Sequence, residues 1–255
     1  MKTIAKTIFL DNVKSKIVII YFLMLALLSW TSLLLEDSEA KGSLTILNIV
    51  LFIIPLMSLL YATTYLYNSR DFVVLLLSQP LRRGRIWHSL YAGVAGSLLL
   101  AFLAGAGLPV ALYCNAGTAA MIVLMGSVVT LVFVSVAFLT AIVSSDKTRG
   151  IGAAILLWLL FTIVWDALLM YVLMVFASWP VEKPVMALLM LNPLDQARFQ
   201  VILKMDVAAM MGYSGAAFKE FLGAAAGVVV SALLLAAWIV VPYLLSLRVF
   251  RHKDL

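Results

Sequence analysis

The sequence predicts an all-α integral membrane protein with six transmembrane helices, and three observations carry that prediction. Of its 255 residues, 65% are hydrophobic and only 12% are charged, with a mean hydropathy of +1.12. A water-soluble chain of this length could not bury so much apolar surface. The apolar residues fall into six long runs, each near the ~20 residues a helix needs to cross the ~30 Å hydrocarbon core. The bases gather in alternate connecting segments, as expected of a multi-pass chain. Seven prolines and fourteen glycines are scattered among the runs rather than gathered into a linker, so residues 1–255 read as a single membrane domain.

The first element is MKTIAKTIFLDNVKSK. Its basic stretch is too long, and the apolar run after it too continuous, for a cleavable signal peptide, so the first span is expected to be retained. Residues 2–14 place Ile4, Ile8, Phe9 and Val13 on one helical face, with Lys2, Lys6, Asp11 and Lys14 mostly elsewhere. That pattern fits an amphipathic helix lying on the inner leaflet; an ordinary basic flank that only fixes orientation fits it too.

Spans are then expected at residues 17–35, 44–67, 89–113, 118–143, 151–177 and 222–247. An acidic loop (Glu36, Asp37, Glu39, Lys41) separates the first two, and a tight turn, Cys114 to Gly117, separates the third and fourth. A charged turn, Ser144 to Arg149, leads into the fifth, and a long segment, 178–221, into the sixth. Pro55, Pro109 and Pro242 lie inside spans, where each removes a backbone hydrogen bond and favours a kink. Small residues cluster in the third span (Gly93, Gly96, Ala104, Gly105, Gly107), and Gly223 with Gly227 forms a GxxxG at the head of the sixth. Both permit close helix approach, and packing within the subunit accounts for them.

Of the 18 lysines and arginines, thirteen flank one side: four at the N-terminus, four in 68–88, two in 144–149 and three in the tail RVFRHKDL. The other side holds Lys41, Lys183, Arg198, Lys204 and Lys219, largely balanced by Glu182, Asp195, Asp206 and Glu220. The positive-inside rule therefore puts both termini in the cytoplasm. The net charge of +6 is explained by topology rather than by nucleic acid. A lone cysteine, Cys114, excludes an internal disulfide and every multi-cysteine metal site.

Three segments could carry mechanism. Residues 70–89, RDFVVLLLSQPLRRGRIWHS, hold a short apolar run broken by Ser78-Gln79-Pro80 and followed by Leu81, Arg82, Arg83 and Arg85. Such a helix and turn suits burial against a partner with the bases facing that partner or anionic lipid; fixing topology alone would also account for the arginines. In the external segment, Asn192 caps a helix with Pro193 at its first turn, predicting a helix over 194–205. Its broad apolar surface predicts two short helices that cap the bundle or dip into the outer leaflet. Met186, Met190, Met205, Met210 and Met211 lie in this segment; thioethers are soft ligands suited to Cu(I), but methionine is also ordinary apolar filler. Finally, Asp166 is the one acid expected well inside a span. It serves either a substrate or proton path or a hydrogen bond to a hydroxyl or indole donor across helices. The sequence contains no G-x-x-x-x-G-K-[ST] loop, so any ATP hydrolysis must be supplied in trans. Neither a paired intramembrane Asp, an HExxH nor a Ser and Lys constellation appears in the spans, which argues against an intramembrane enzyme.

The stretch YNSRDFVVLLLSQPLRRGRI resembles the cytoplasmic coupling segment of ABC-2 type permeases. Together with SSDKTRGIG (144–152), LNPLDQARFQVILKMDVAAMMGYSGAAFK (191–219) and the tail, it makes essentially the whole chain similar to the membrane subunit of the transporter that matures nitrous oxide reductase, a multicopper periplasmic enzyme. Many ABC-2 permeases have a glutamate-rich start and a Gly-Thr-Leu in the coupling segment, where this chain has Arg70-Asp71 and Val73-Val74-Leu75. The resemblance implies a multi-pass protein of a bacterial inner membrane that is not an enzyme by itself. It implies a homodimer carrying two cytoplasmic ABC ATPase subunits, with ATP and Mg bound by those partners and no cofactor on this chain, and a periplasmic accessory protein. It further implies that Arg70, Asp71, Gln79, Pro80, Leu81, Arg82, Arg83, Arg85, Asp146, Lys147 and Arg149 contact the ATPase, and that Asn192, Pro193, Asp195, Arg198 and Tyr213 form an external partner contact or gate. Copper, a sulfur species and mechanical transmission all remain open as the thing delivered, and export of a lipid or drug is the alternative within the wider family.

Overall fold

The computed structural model of the chain describes residues 2–36, 38–144, 146–176, 182–205 and 225–252. These residues form twelve α-helices and two π-helical turns, without a strand among them. Helix α1 (Lys2–Val13) is followed by α2 (Lys16–Leu35), α3 (Glu39–Asn68) and the short α4 (Arg70–Leu77). The third long rod joins α5 (Arg83–Phe102), a π-segment (Leu103–Gly107) and α6 (Leu108–Tyr113). Helix α7 (Ala116–Val143) follows, then a rod of α8 (Lys147–Leu159), a second π-segment (Leu160–Val164) and α9 (Trp165–Val175). Helices α10 (Glu182–Leu191) and α11 (Pro193–Lys204) precede α12 (Ala225–His252).

Six of these rods are long and apolar enough to cross a membrane, one for each expected span. Most begin or end beyond the expected bounds, although the fifth stops at Val175, short of 177: α3 has 30 residues and α7 and α12 have 28 each, or about 42–45 Å at 1.5 Å per residue. Hydropathy stops at the edge of the ~30 Å hydrocarbon core, whereas backbone hydrogen bonding carries a helix on into water. The third span accordingly starts at Arg83 rather than at Ser89. The head of the sixth expected span and its Gly223 lie outside the described residues.

The core is built on α7, against which α3, α11 and α12 pack. Two thirds (67%) of its apolar window is buried, against 17% in the fifth and sixth spans, which form the periphery. Close contact follows from small residues. A Cβ at Gly126 would stand 2.9 Å from both Cε atoms of the Phe102 ring, so the tip of this ring, carried by α5, can approach α7 this closely only at a glycine. Pro109 deprives the third rod of one backbone donor, and the π-segment sits immediately before it. The second π-segment has no proline to announce it.

Helix α1 lies on α5. Its Ile8 is buried over Gly93, its Phe9 reaches Gly96, and Asn12 accepts a 2.7 Å hydrogen bond from the Tyr61 hydroxyl of α3. Lys6, Asp11 and Lys14 remain exposed. The apolar face read from the sequence is therefore seated on the bundle itself. At the other end of the chain Arg83 donates to the Arg251 carbonyl and Trp87 Nε1 to Ser246 Oγ at 3.0 Å. These contacts bring α1, the start of α5 and the end of α12 to one end of the bundle, called here the basic end.

Candidate functional site

Two regions hold the residues singled out in the sequence. The first is the basic end. Helix α4 is amphipathic: Val73 and Leu76 are buried against the bundle, while Phe72, Val74 and Leu75 are exposed. Gln79, Pro80, Arg82 and Arg83 are exposed in the bend that follows, with Leu81 half-buried and Arg85 exposed on the first turn of α5. Arg70 and Asp71 are exposed at the start of α4, and Asp146, Lys147 and Arg149 at the start of α8. The second group joins the first, because Lys147 Nζ donates to Asn68 Oδ1 at the end of α3, 2.8 Å away, and Tyr67 donates to the Ser144 carbonyl. The fold thus collects an apolar helix face and a set of bases on one surface. Sequence reasoning missed Arg251, whose guanidinium lies beside Gly84; its proximity to residues 83–85 follows only from how the last span packs on the third.

The second region is a hairpin made by α10 and α11. At its outer end, Lys204 lies next to Gly117, the start of α7. At its tip, Asn192 Nδ2 donates to the Phe161 carbonyl at 3.0 Å, and Trp238 of α12 donates to the Leu191 carbonyl. Phe161 in turn packs edge-on against Phe133 and Trp238. Phe133 is sixteen residues into α7 from Gly117, about 24 Å along the axis. The hairpin therefore enters the bundle from the end opposite the bases, turns at Asn192-Pro193 and returns without crossing. The sequence predicts that these short helices cap the bundle or dip into the outer leaflet; the structure shows two short helices, seated inside the bundle end against α7 and α12.

Arg198 Nε is buried without a partner, but the polar groups at the hairpin's tip are matched within it or by the spans. Asn192 caps α11 through the Leu194 amide and donates to Asp195 at 2.9 Å. Gln196 donates to the Met190 carbonyl and accepts from Ser231 of α12. Phe161 lies inside the second π-segment, where the altered helical pattern leaves carbonyls to be met by outside donors. Arg198 lies 3.5 Å from Asp195 and 3.5 Å from Asp166 of α9. Asp166 is thus paired with a guanidinium rather than with the hydroxyl or indole partners expected from its span alone. Asp195, on a helix that does not span, is 2% exposed. Burial pushes its carboxyl up to about 6; nearby Asp166 adds to the rise, and Arg198 and Asn192 oppose it.

Beside these three residues is a cleft of about 240 Å³ lined also by Asn48, Leu51, Thr162 and Leu194. Among the segment's described methionines, Met190 is next to the tip of the hairpin, Met186 is one turn farther back on α10, and Met205 follows the outer end of α11. Met210, Met211 and Tyr213 lie outside the described residues. Among the described residues no group of three His, Cys, Asp or Glu could hold a metal ion.

Two curated proteins, each named "Probable ABC transporter permease protein NosY", are similar to this chain. The one from Stutzerimonas stutzeri is 28% identical over 220 residues, covering 81% of the chain and 78% of the relative. The one from Pseudomonas aeruginosa is 27% identical over 232 residues, covering 82% and 84%. No family model matches the chain. A permease subunit is not itself an enzyme, in keeping with the missing phosphate-binding loop. Six candidate spans and a relationship over about four fifths of its length make the chain a distant homologue of these two proteins, each named a probable ABC transporter permease.

Proposed function

We propose that two copies of this chain form the membrane half of an ATP-driven complex in a bacterial inner membrane, with two ABC ATPase subunits docked on the basic end. The observation that carries the proposal is the surface made by α4, the Gln79–Arg85 bend and the α8 start. There Phe72, Val74 and Leu75 are exposed outside any membrane-length helix. An apolar face of that kind, ringed by bases, suits a partner that buries it and meets the charges. The positive-inside rule places that surface in the cytoplasm, where ATP and Mg are available to the ATPase. Closure of the ATPase pair would push on α4 and so on α3 and α5, which it links.

We further propose that the complex serves copper-site maturation of nitrous oxide reductase, working with a periplasmic accessory protein at the hairpin end. The segments 144–152 and 191–219 and the chain's tail, together with the two relatives named NosY, support this reading. Deleting the gene and purifying the reductase tests it. A reductase that lacks its copper centres, restored by the wild-type gene, is the expected result; a fully metallated enzyme would exclude an essential maturation role. A surviving export phenotype for a lipid or drug would move the assignment to that branch.

A further inference from the structure

Residues Asp166, Asp195 and Arg198 sit where a charge is costly, and yet they form the two ion pairs found among the described residues. Ionisable groups at membrane depth face a protein interior or water rather than lipid, and the adjoining cleft of about 240 Å³ is roomy enough for several waters. Other polar ties hold the hairpin to other parts of the bundle. Asn192 holds the π-segment, and Trp238 and Ser231 of α12 hold Leu191 and Gln196. Between the returning helix α11 and α9 runs the Arg198–Asp166 ion pair, beside an apolar cluster in which Phe199 of α11 packs with Leu169 and Trp165 of α9 and with Val185 and Leu189 of α10; Trp165 also donates to the Leu188 carbonyl.

The π-segment Leu160–Val164 ends two residues before Asp166. A π-turn holds one more residue than an α-turn, so its loss would rotate everything downstream by about 100°. That rotation would carry Asp166 away from Arg198. Arg198 is also incompletely satisfied where it stands, since its Nε is buried without a partner. A network that is well formed at one end and short of an acceptor at the other is suited to having two positions.

We propose that Arg198, held between Asp166 and Asp195, is a latch that seats the re-entrant hairpin on the fifth span, and that releasing it opens the polar cleft to water. This deepens the permease reading by assigning the closure of the end opposite the ATPase surface. Facing groups do not confuse the assignment: α7 has no ionisable side chain along 116–143, and α12 has none from 225 to 242.

The test uses the full chain in open membrane sheets, without nucleotide, so that its outcome is independent of any ATPase. Leu51, which is 2% exposed and lines the cleft, is replaced by cysteine in a Cys114→Ser background. Its rate of reaction with a charged thiol reagent is then measured, with Ala116→Cys on the exposed start of α7 as the reference position. Arg198→Gln and Asp166→Asn should each raise the Leu51→Cys rate at least fivefold and leave the Ala116→Cys rate unchanged. The exchange of Asp166→Arg with Arg198→Asp should return it to near the parental rate. Unchanged rates in the single variants would overturn the proposal. An exchange variant as reactive as the singles would overturn it as well, as would a rise at both cysteine positions, because the triad would then only maintain the fold.

Discussion

The seat of α1 on α5 is sensitive to a single added methyl group, and the structure says by how much. A Cβ at Gly93 would lie 2.8 Å from the Cβ of Ile8 and 3.3 Å from the Phe9 amide nitrogen. Ordinary carbon contacts fall at about 3.5–4.0 Å. The Ile8 Cβ and the Phe9 amide belong to the rigid part of α1, so no rotamer change relieves them and the helix must move outward by about 1 Å. Overpacking of this kind costs about 1–3 kcal/mol. The larger Gly93→Leu cannot be accommodated by so small a shift. It would expose Ile8, whose burial contributes about 1.5–3 kcal/mol, and break the Asn12–Tyr61 bond, which contributes about 0.5–1.5 kcal/mol. Limited trypsin digestion of the chain in membranes, read at Lys6 and Lys14, reports the outcome. Gly93→Ala should speed cleavage modestly, and Gly93→Leu should give cleavage as fast as a detached helix while the six spans stay inserted. Ile8→Ala alone should also loosen α1, but added to Gly93→Leu it should have almost no further effect, because its contact is already gone. Cleavage at the parental rate in Gly93→Leu would refute the docking of α1 on the third span.

Asn192→Ala should lower the melting temperature of the detergent-solubilised chain, since it removes a helix cap worth about 1 kcal/mol and strips donors from two buried acceptors at about 1–3 kcal/mol each. An unchanged melting temperature would mean that the hairpin tip is not held in the bundle as described. Cys114, in the turn between the third and fourth spans, is buried and hydrogen-bonded to Ser43 at 3.3 Å. Burial pushes its thiol above the ordinary cysteine range, Ser43 pulls it back and Glu39 adds to the rise. Because the thiolate is the reacting form, alkylation at pH 8 should be slower than for a free cysteine and should accelerate only at higher pH. Alkylation at the free-thiol rate would contradict this placement.

The six spans were legible because each is a local property of the chain: about 20 apolar residues in a row need no knowledge of the neighbours. The bend at Pro80, the helix beginning at Pro193 and the apolar face of α1 were legible for the same reason. What covers that face was not, because Ile8 and Gly93 are far apart in sequence and only packing brings them together. The extra turns of α3 and α5 escaped because hydropathy marks the membrane and not the helix. Asp166 shows the limit most clearly. Its span contains no partner charge, and Arg198 was counted with the external loop; only the inward turn of the hairpin, fixed by Asn192 on the Phe161 carbonyl, places the two 3.5 Å apart. The second π-segment, which has no proline, left no mark in the sequence at all.

The central claim is that the basic end is the docking surface for a separate ATPase. Its most direct measurement is co-purification of the ATPase subunit with the tagged chain carrying Arg82→Glu, Arg83→Glu and Arg85→Glu together, alongside ATPase activity of the recovered complex. The account predicts that the chain remains in the membrane with its spans intact, while recovery of the ATPase falls at least tenfold and its stimulated activity falls with it. Wild-type recovery with normal stimulated activity would contradict it.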